Sequence, residues 1–274
     1  MSAKRKSENS ERGRTLVVGV GEVGGSLAAV LDRRREVLRH DIEPKNFDEP
    51  IGMMHICIPF SSRAQFEEAS LRYIDRFKPA LTIINSTIIP GTTRSIAQRS
   101  GRPVAYSPVR GKHVQMEQDL LKYDKFVAGT DEAAAKKAAA FFRAHGFKTR
   151  RMDQVETLEL AKLAETTYFG VLIAFAQELN RYAQRVGADY GEAIDFFEEI
   201  DFLPRTRYFA GFIGGHCVIP NINLLLQIAR SPLLEAILDS NNRRWAELKS
   251  AGTGAQSPAQ GFRDANETKQ LAHR

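Results

Sequence analysis

Thr15-Leu16-Val17-Val18-Gly19-Val20-Gly21-Glu22-Val23-Gly24-Gly25-Ser26-Leu27-Ala28-Ala29-Val30-Leu31 sets an apolar run, a glycine turn and an amphipathic segment in immediate succession. That order predicts strand, tight turn and helix. In Gly19-x-Gly21-x-x-Gly24 the first glycine permits the turn and the second lets backbone approach a pyrophosphate. The third lets helix and strand pack closely. The free N–H groups at the helix start, around Glu22 and Val23, would face the phosphates. The next apolar run ends at Asp41, about 20 residues beyond the glycines, where a carboxylate can accept both ribose hydroxyls. NAD is therefore the expected cofactor, held by Gly19, Gly21, Glu22, Val23, Gly24 and Asp41. Arg39 and His40 beside Asp41 leave some room for NADP.

Outward from this turn, short apolar runs at 15–20, 36–41, 54–59, 81–86, 104–107 and 126–129 read as strands. Several are nearly continuous in apolar residues, as parallel strands covered on both faces are. Helical patterns at 23–35, 64–77, 93–99 and 131–145 separate them. The alternation predicts an α/β fold, a Rossmann-type doubly wound parallel sheet, over 15–153. Ligands bind at the strand ends of such sheets, so Pro59, Ser86 and Thr87 join the expected cofactor set. Residues 154–248 change character and predict a mostly helical domain of dimerisation and catalysis. It opens with a helix over 154–187 whose apolar residues recur every three or four positions and whose single internal glycine is Gly170. At 1.5 Å per residue such a spine is about 45 Å long, which suggests packing against a second copy, a homodimer.

Composition narrows the classes. The 274 residues are 43% hydrophobic and 26% charged, with a net charge of +6. Most of that charge sits in the polar segments 1–14 and 249–274, which are expected to be disordered. Charge placed there, without interleaved aromatics, argues against a nucleic-acid partner. The longest apolar stretch, 169–176, is far short of the roughly 20 residues of a membrane span. Two cysteines, Cys57 and Cys217, cannot build a disulfide framework, so a cytoplasmic protein with no membrane partner is expected. Cys57, inside His55-Ile56-Cys57-Ile58-Pro59, reads as packing.

Three further segments carry chemistry-bearing residues. Ser86-Thr87-Ile88-Ile89-Pro90-Gly91-Thr92 follows the fourth apolar run. Glu159-Leu160-Ala161-Lys162-Leu163-Ala164-Glu165-Thr166 opens the long helix. Gly211-Phe212-Ile213-Gly214-Gly215-His216-Cys217-Val218-Ile219-Pro220-Asn221 follows a helical stretch. A lysine and a loop cysteine are a charge-stabilising group and a nucleophile. Glu165 lies three residues after Lys162 and can pair with it.

With these four motifs in this order, the chain over about residues 15–245 resembles the UDP-glucose/GDP-mannose dehydrogenase family. The resemblance implies two NAD-dependent oxidations of a nucleotide-sugar alcohol through a cysteine-bound intermediate. Carried over by position, Cys217 is the nucleophile, Lys162 stabilises the developing oxyanion and Thr87 positions a water or substrate oxygen. From its place in the loop, His216 would either orient Cys217 or simply fill the loop, and it joins Glu165 among the expected substrate contacts. The departures are specific. Thr166 stands where the family has Asn, and Asn221 where it has Asp; both are retained here as candidate catalytic positions. After the fifth run, Ser107-Pro108-Val109 replaces an element ending in Glu, and a family domain of roughly 150 further residues has no counterpart. Arg110, Lys112 and His113 put positive charge at the same strand end, which suits an anionic small-molecule substrate. The expectation is thus an oxidoreductase acting on a CH–OH group of a small anionic or sugar-like molecule. The alternatives are a two-electron dehydrogenase of β-hydroxyacid type and a non-catalytic NAD-binding regulatory subunit.

Overall fold

The computed structural model describes residues 13–42, 47, 49–111, 113–198, 200–201, 208–215 and 217–251. It divides into two compact units, Met1–Lys162 and Leu163–Arg274. Lys112, His216 and nearly all of the two terminal segments lie outside the described residues, as does the side chain of His113. Arg14, grouped with the N-terminal tail in the sequence reading, opens the first strand, and the last helix runs to Ser250, one residue past the expected start of the C-terminal tail.

In the first unit the strands are β1 (Arg14–Val18), β2 (Val37–His40), β3 (Ile51–Ile56), β4 (Leu81–Ile84), β5 (Val104–Tyr106), β6 (Lys125–Gly129) and β7 (Thr149–Arg151). They form one sheet in the order β2-β1-β3-β4-β5-β6-β7. Every neighbouring pair is parallel except β5 with β6, which is antiparallel. The connection reverses direction between β1 and β3, the crevice where doubly wound sheets hold ligands.

Alternate strand residues feed two core layers. Val17, Met53, Leu81, Ile83 and Ala105 face one layer; Leu16, Val18, Met54, Ile56, Ile84, Val104 and Tyr106 face the other. The first layer is closed by Leu27 and Leu31 of α1 (Glu22–Asp32), Leu120 of α4 (Met116–Lys122) and Phe142 of α5 (Glu132–Ala144). The second is closed by Phe66 and Ile74 of α2 (Arg63–Phe77), Ile96 of α3 (Thr92–Ser100) and Val155 and Leu158 of α6 (Val155–Val186).

The second unit contains the greater part of α6, then α7 (Tyr190–Glu198), α8 (Val218–Ile228) and α9 (Pro232–Ser250). Ile173, Ala174, Ile213, Val218, Ile222 and Ile237 form its core. Gly170 is the point of closest approach: a Cβ there would lie 2.8 Å from Val218 Cγ1. That packing accounts for a glycine in the middle of a helix, where it otherwise costs roughly 1 kcal/mol. Among the described residues no helix is long and apolar enough to cross a membrane.

Candidate active site

The glycine turn is built as the motif requires. Gly19 has φ +82°, and a Cβ on it would fall 2.8 Å from Cys57 O. A Cβ on Gly24 would fall 1.8 Å from Gly19 O, so this position tolerates no side chain. Gly21 is different. Its φ of −66° suits any residue, and a Cβ there would meet nothing within 4 Å. Among the described residues the space above Gly21 is thus open, at the N-cap of α1 and beside exposed Glu22 and half-buried Val23. Gly21, the N-cap residue of α1, brings no side chain of its own to the helix start, where N–H groups can serve an anion.

Asp41 ties itself to the same turn. Its Oδ2 accepts from Val20 N at 3.2 Å and its Oδ1 from Ile42 N at 3.0 Å, which leaves lone pairs on both oxygens facing solvent. Arg39 turns away and pairs with Asp32 at the far end of α1. His40 is buried against Tyr73 and Phe77. Neither flanking base offers a charge to a 2′-phosphate, so the residues present fit NAD better than NADP.

Across the ends of β3 to β6 runs a buried polar chain. His55 Nδ1 and Asn85 Oδ1 are 2.9 Å apart, and Asn85 Nδ2 donates to Ser107 O at 2.5 Å. Lys125 Nζ donates to the same carbonyl at 2.8 Å and to Pro108 O at 2.9 Å. Its ammonium is buried, with the Phe142 ring 5.2 Å away. Burial pushes Lys125 down to about 7 and His55 down to about 3. The Cys57 thiol, packed behind the glycine turn, is pushed by burial up to about 12, in keeping with packing rather than reaction. Sequence reading missed Lys125. Its only signal was a lysine heading an otherwise apolar run, Phe126-Val127-Ala128-Gly129.

On the same side of the sheet, Ser86 Oγ donates to Ile58 O at 2.6 Å and is buried, with Thr87 half-buried and Pro59 exposed beside it. Arg110 does not stand free. Its Nη2 donates to Asp124 O at 2.8 Å, and its guanidinium lies over the Phe126 and Tyr123 rings at 4.8 and 5.9 Å. Val109 fills the core, so this turn holds an apolar anchor where the resembled pattern has a carboxylate.

The turn after Ser86-Thr87 is fastened by the first turns of α6. Glu159, fully buried, accepts from Gly91 N at 2.6 Å and from Thr93 N at 2.9 Å, so it caps α3 from outside. Burial nevertheless raises its carboxyl above the ordinary range. Glu156 adds a two-pronged pair to Arg94, at 2.5 and 3.0 Å. Lys162, one turn beyond Glu159, is half-buried and is the last residue of the first unit.

In the second unit, exposed Glu165 and half-buried Thr166 follow on α6. Cys217, half-buried, is the N-cap residue of α8, and its carbonyl accepts from Asn221 N at 3.1 Å. The Asn221 side chain is buried and donates to Thr166 Oγ1 at 2.7 Å. Two of the positions that depart from the resembled pattern, Thr166 and Asn221, are therefore partners. Together they make a neutral bond that holds no carboxylate to take a proton.

Residues 156–243 match the model described as UDP-glucose/GDP-mannose dehydrogenase family, central domain. That stretch, which includes Lys162, Thr166, Cys217 and Asn221, is similar to the central domain of that family. The chain is 31% identical over 142 residues to UDP-N-acetyl-D-mannosamine dehydrogenase of Methanocaldococcus jannaschii, covering 50% of this chain and 33% of that protein. It spans between a third and a half of the curated relatives it matches. The solved structure of UDP-D-ManNAc dehydrogenase from Pyrococcus horikoshii superposes with a TM-score of 0.74 at 24% identity, over 87% of this chain and 72% of that one. The 3-hydroxyisobutyrate dehydrogenase of Mycobacterium tuberculosis shares the fold with a TM-score of 0.66 at 14% identity, over 86% of this chain and 94% of that one.

Proposed function

We propose that this chain is an NAD-dependent dehydrogenase that oxidises a CH–OH group of a sugar nucleotide. One observation carries the reading: a turn with open space at Gly21 and a carboxylate at Asp41 shares its chain with a central-domain segment of the UDP-glucose/GDP-mannose dehydrogenase family. Named relatives act on UDP-N-acetylmannosamine and UDP-glucose, so a UDP-sugar is the substrate class proposed.

The turn at Gly19, Gly21 and Gly24 and the Asp41 carboxylate would hold NAD, which when bound supplies the acceptor for hydride. The chain's own residues do the rest. The Lys162 ammonium stabilises negative charge on the substrate oxygen. The Cys217 thiol adds reversibly across the C=O of the aldehyde so formed, sulfur to carbon and proton to oxygen, so that it holds the product until the thiohemiacetal reverts to aldehyde and thiol. In the first unit Thr87 and Ser86 border the strand end, with the Arg110, Lys112 and His113 positions as proposed substrate contacts; in the second unit the proposed contacts are Glu165 and the His216 position. Completing the oxidation to an acid would need a water activated by a base. The neutral Thr166–Asn221 bond supplies none, which favours a two-electron oxidation that stops at the carbonyl. Assembly as a homodimer belongs to the same reading, along an exposed apolar stripe of α6 that includes Tyr168, Phe175 and Tyr182.

The test is to incubate the protein with NAD and UDP-N-acetylmannosamine or UDP-glucose and count NADH against substrate consumed, with Cys217→Ser alongside. One NADH per substrate, largely kept in Cys217→Ser, is expected. Two per substrate, with the second lost in Cys217→Ser, would replace the two-electron reading by a four-electron one. No NADH from any UDP-sugar would contradict the proposal.

A further inference from the structure

The segment that leads into Cys217 contains Gly211, Gly214 and Gly215, and so brings few side chains of its own to fix its path. Its backbone groups need partners all the same. Ile213, buried at 4% exposure, finds both of its partners on one side chain. Asn241 of α9 accepts from Ile213 N at 2.7 Å through Oδ1 and donates to Ile213 O at 3.1 Å through Nδ2. A carboxamide that takes both polar groups of one residue reproduces the pairing of a strand neighbour. It also fixes which way its own amide points.

Behind Asn241 the donors and acceptors run in a single sense. Gln177 Nε2 donates to Gly211 O at 2.7 Å and to Asn241 Oδ1 at 3.3 Å. Gln177 Oε1 accepts from Ser240 Oγ at 2.9 Å. Arg181 donates to Ser240 Oγ at 3.1 Å and to Ser240 O at 2.9 Å, and its Nε is 2.6 Å from Glu247 Oε1. Asn241, Gln177 and Ser240 are all buried, so none of them can exchange a lost partner cheaply for water. Four residues past Ile213 comes Cys217, and four past Cys217 comes Asn221, held by Thr166. The cysteine thus sits midway between two anchored points.

We infer that Asn241, supported by Gln177, is a positioning residue for the Cys217 thiol, because it clamps the glycine-rich segment at Ile213 by both backbone groups. The inference rests on the reading of Cys217 as nucleophile. It has its own consequence, however: the clamp sets how much the thiol is exposed whatever the substrate.

Alkylation by iodoacetamide under native conditions tests it, with Cys217→Ser as the control that any label taken up by Cys57 is slow. In Asn241→Asp the acceptor for Ile213 N remains and the donor to Ile213 O is lost while the new carboxyl is ionised. Alkylation of the released thiol should then be about tenfold faster than wild type at pH 8. On lowering the pH, the introduced carboxyl gains a proton and donates to Ile213 O, and the ratio to wild type should return toward one. A general loosening of the fold would not be reversed by acid. Should Asn241→Asp fail to fold, Gln177→Leu, which removes the donor to Gly211 O, is measured in the same way and should also alkylate faster. Alkylation of the folded variants at the wild-type rate at every pH would overturn the clamp, as would a rate that stays raised when the pH falls. If the clamp behaves as expected and no UDP-sugar gives NADH, the positioning stands and the functional reading alone falls.

Discussion

Lys125 shows what a single residue contributes that patterns cannot display. Its ammonium is dehydrated and is retained by the carbonyls of Ser107 and Pro108, with Cys57, Lys162, Arg110 and His55 as its charged or titratable neighbours. Folding lowers it from an ordinary 10.5 to about 7. Between those values the unfolded chain holds a proton that the folded chain has released, so this residue makes stability rise with pH across that window. Below pH 7 the cost of burying the charge is carried in full. The expected result is that wild type gains stability relative to Lys125→Met from pH 7 to pH 9, by at most about 1.4 kcal/mol per pH unit. Urea unfolding of both proteins across that range checks it, and parallel curves would show that Lys125 stays charged. The glycines were the legible residues, because a motif constrains each one sterically. Lys125, Asn85, Asn241 and Gln177 were not, because their meaning lies in carbonyls brought to them from distant elements. Arg39 was misleading: it is adjacent to Asp41 in sequence, yet its partner is Asp32.

At the scale of elements, apolar runs pointed to β1 to β6, which feed two core layers, although β3 spans Ile51–Ile56 where 54–59 was expected and β2 carries Arg39 and His40. β7, Thr-Arg-Arg at the edge of the sheet, buries too little to leave a pattern, and α4 is only seven residues long. The long helix was legible in full, from 154–187 in expectation to Val155–Val186 in the structure, because its period is sustained. What the period did not separate was its inner face from its outer one. Ile173, Ala174 and Gln177 are buried, whereas Tyr168, Phe175, Tyr182 and Val186 are 54–76% exposed. With half-buried Leu172 and Leu179 they recur at alternating spacings of four and three, the seam spacing of paired helices. Sedimentation velocity at micromolar concentration should therefore find a dimer. Phe175→Glu should shift it to monomer with little change in melting temperature, since that side chain is mostly exposed. A monomeric wild type would remove the dimer from the account.

For the molecule as a whole, the sequence motifs mapped onto two units, each coherent by itself. The first holds the glycine turn, Asp41, the Ser86-Thr87 strand end and Lys162; the second holds Cys217 with its two anchors. Several expectations fell on Lys112, His216 and the side chain of His113, which are not described, and no pattern in the chain names the sugar. The central claim is that the first unit is a dinucleotide site, and Gly21 allows it to be tested without disturbing the fold. Among the described residues a Cβ there meets nothing within 4 Å and needs no unusual backbone angle, yet a side chain would occupy the space a pyrophosphate requires. Calorimetric titration of NAD into wild type and Gly21→Val should show saturable binding to wild type. In the variant binding should be at least about tenfold weaker, equivalent to about 1.4 kcal/mol, with melting temperature unchanged. NAD binding of equal strength in both proteins, or none in wild type, would contradict the account.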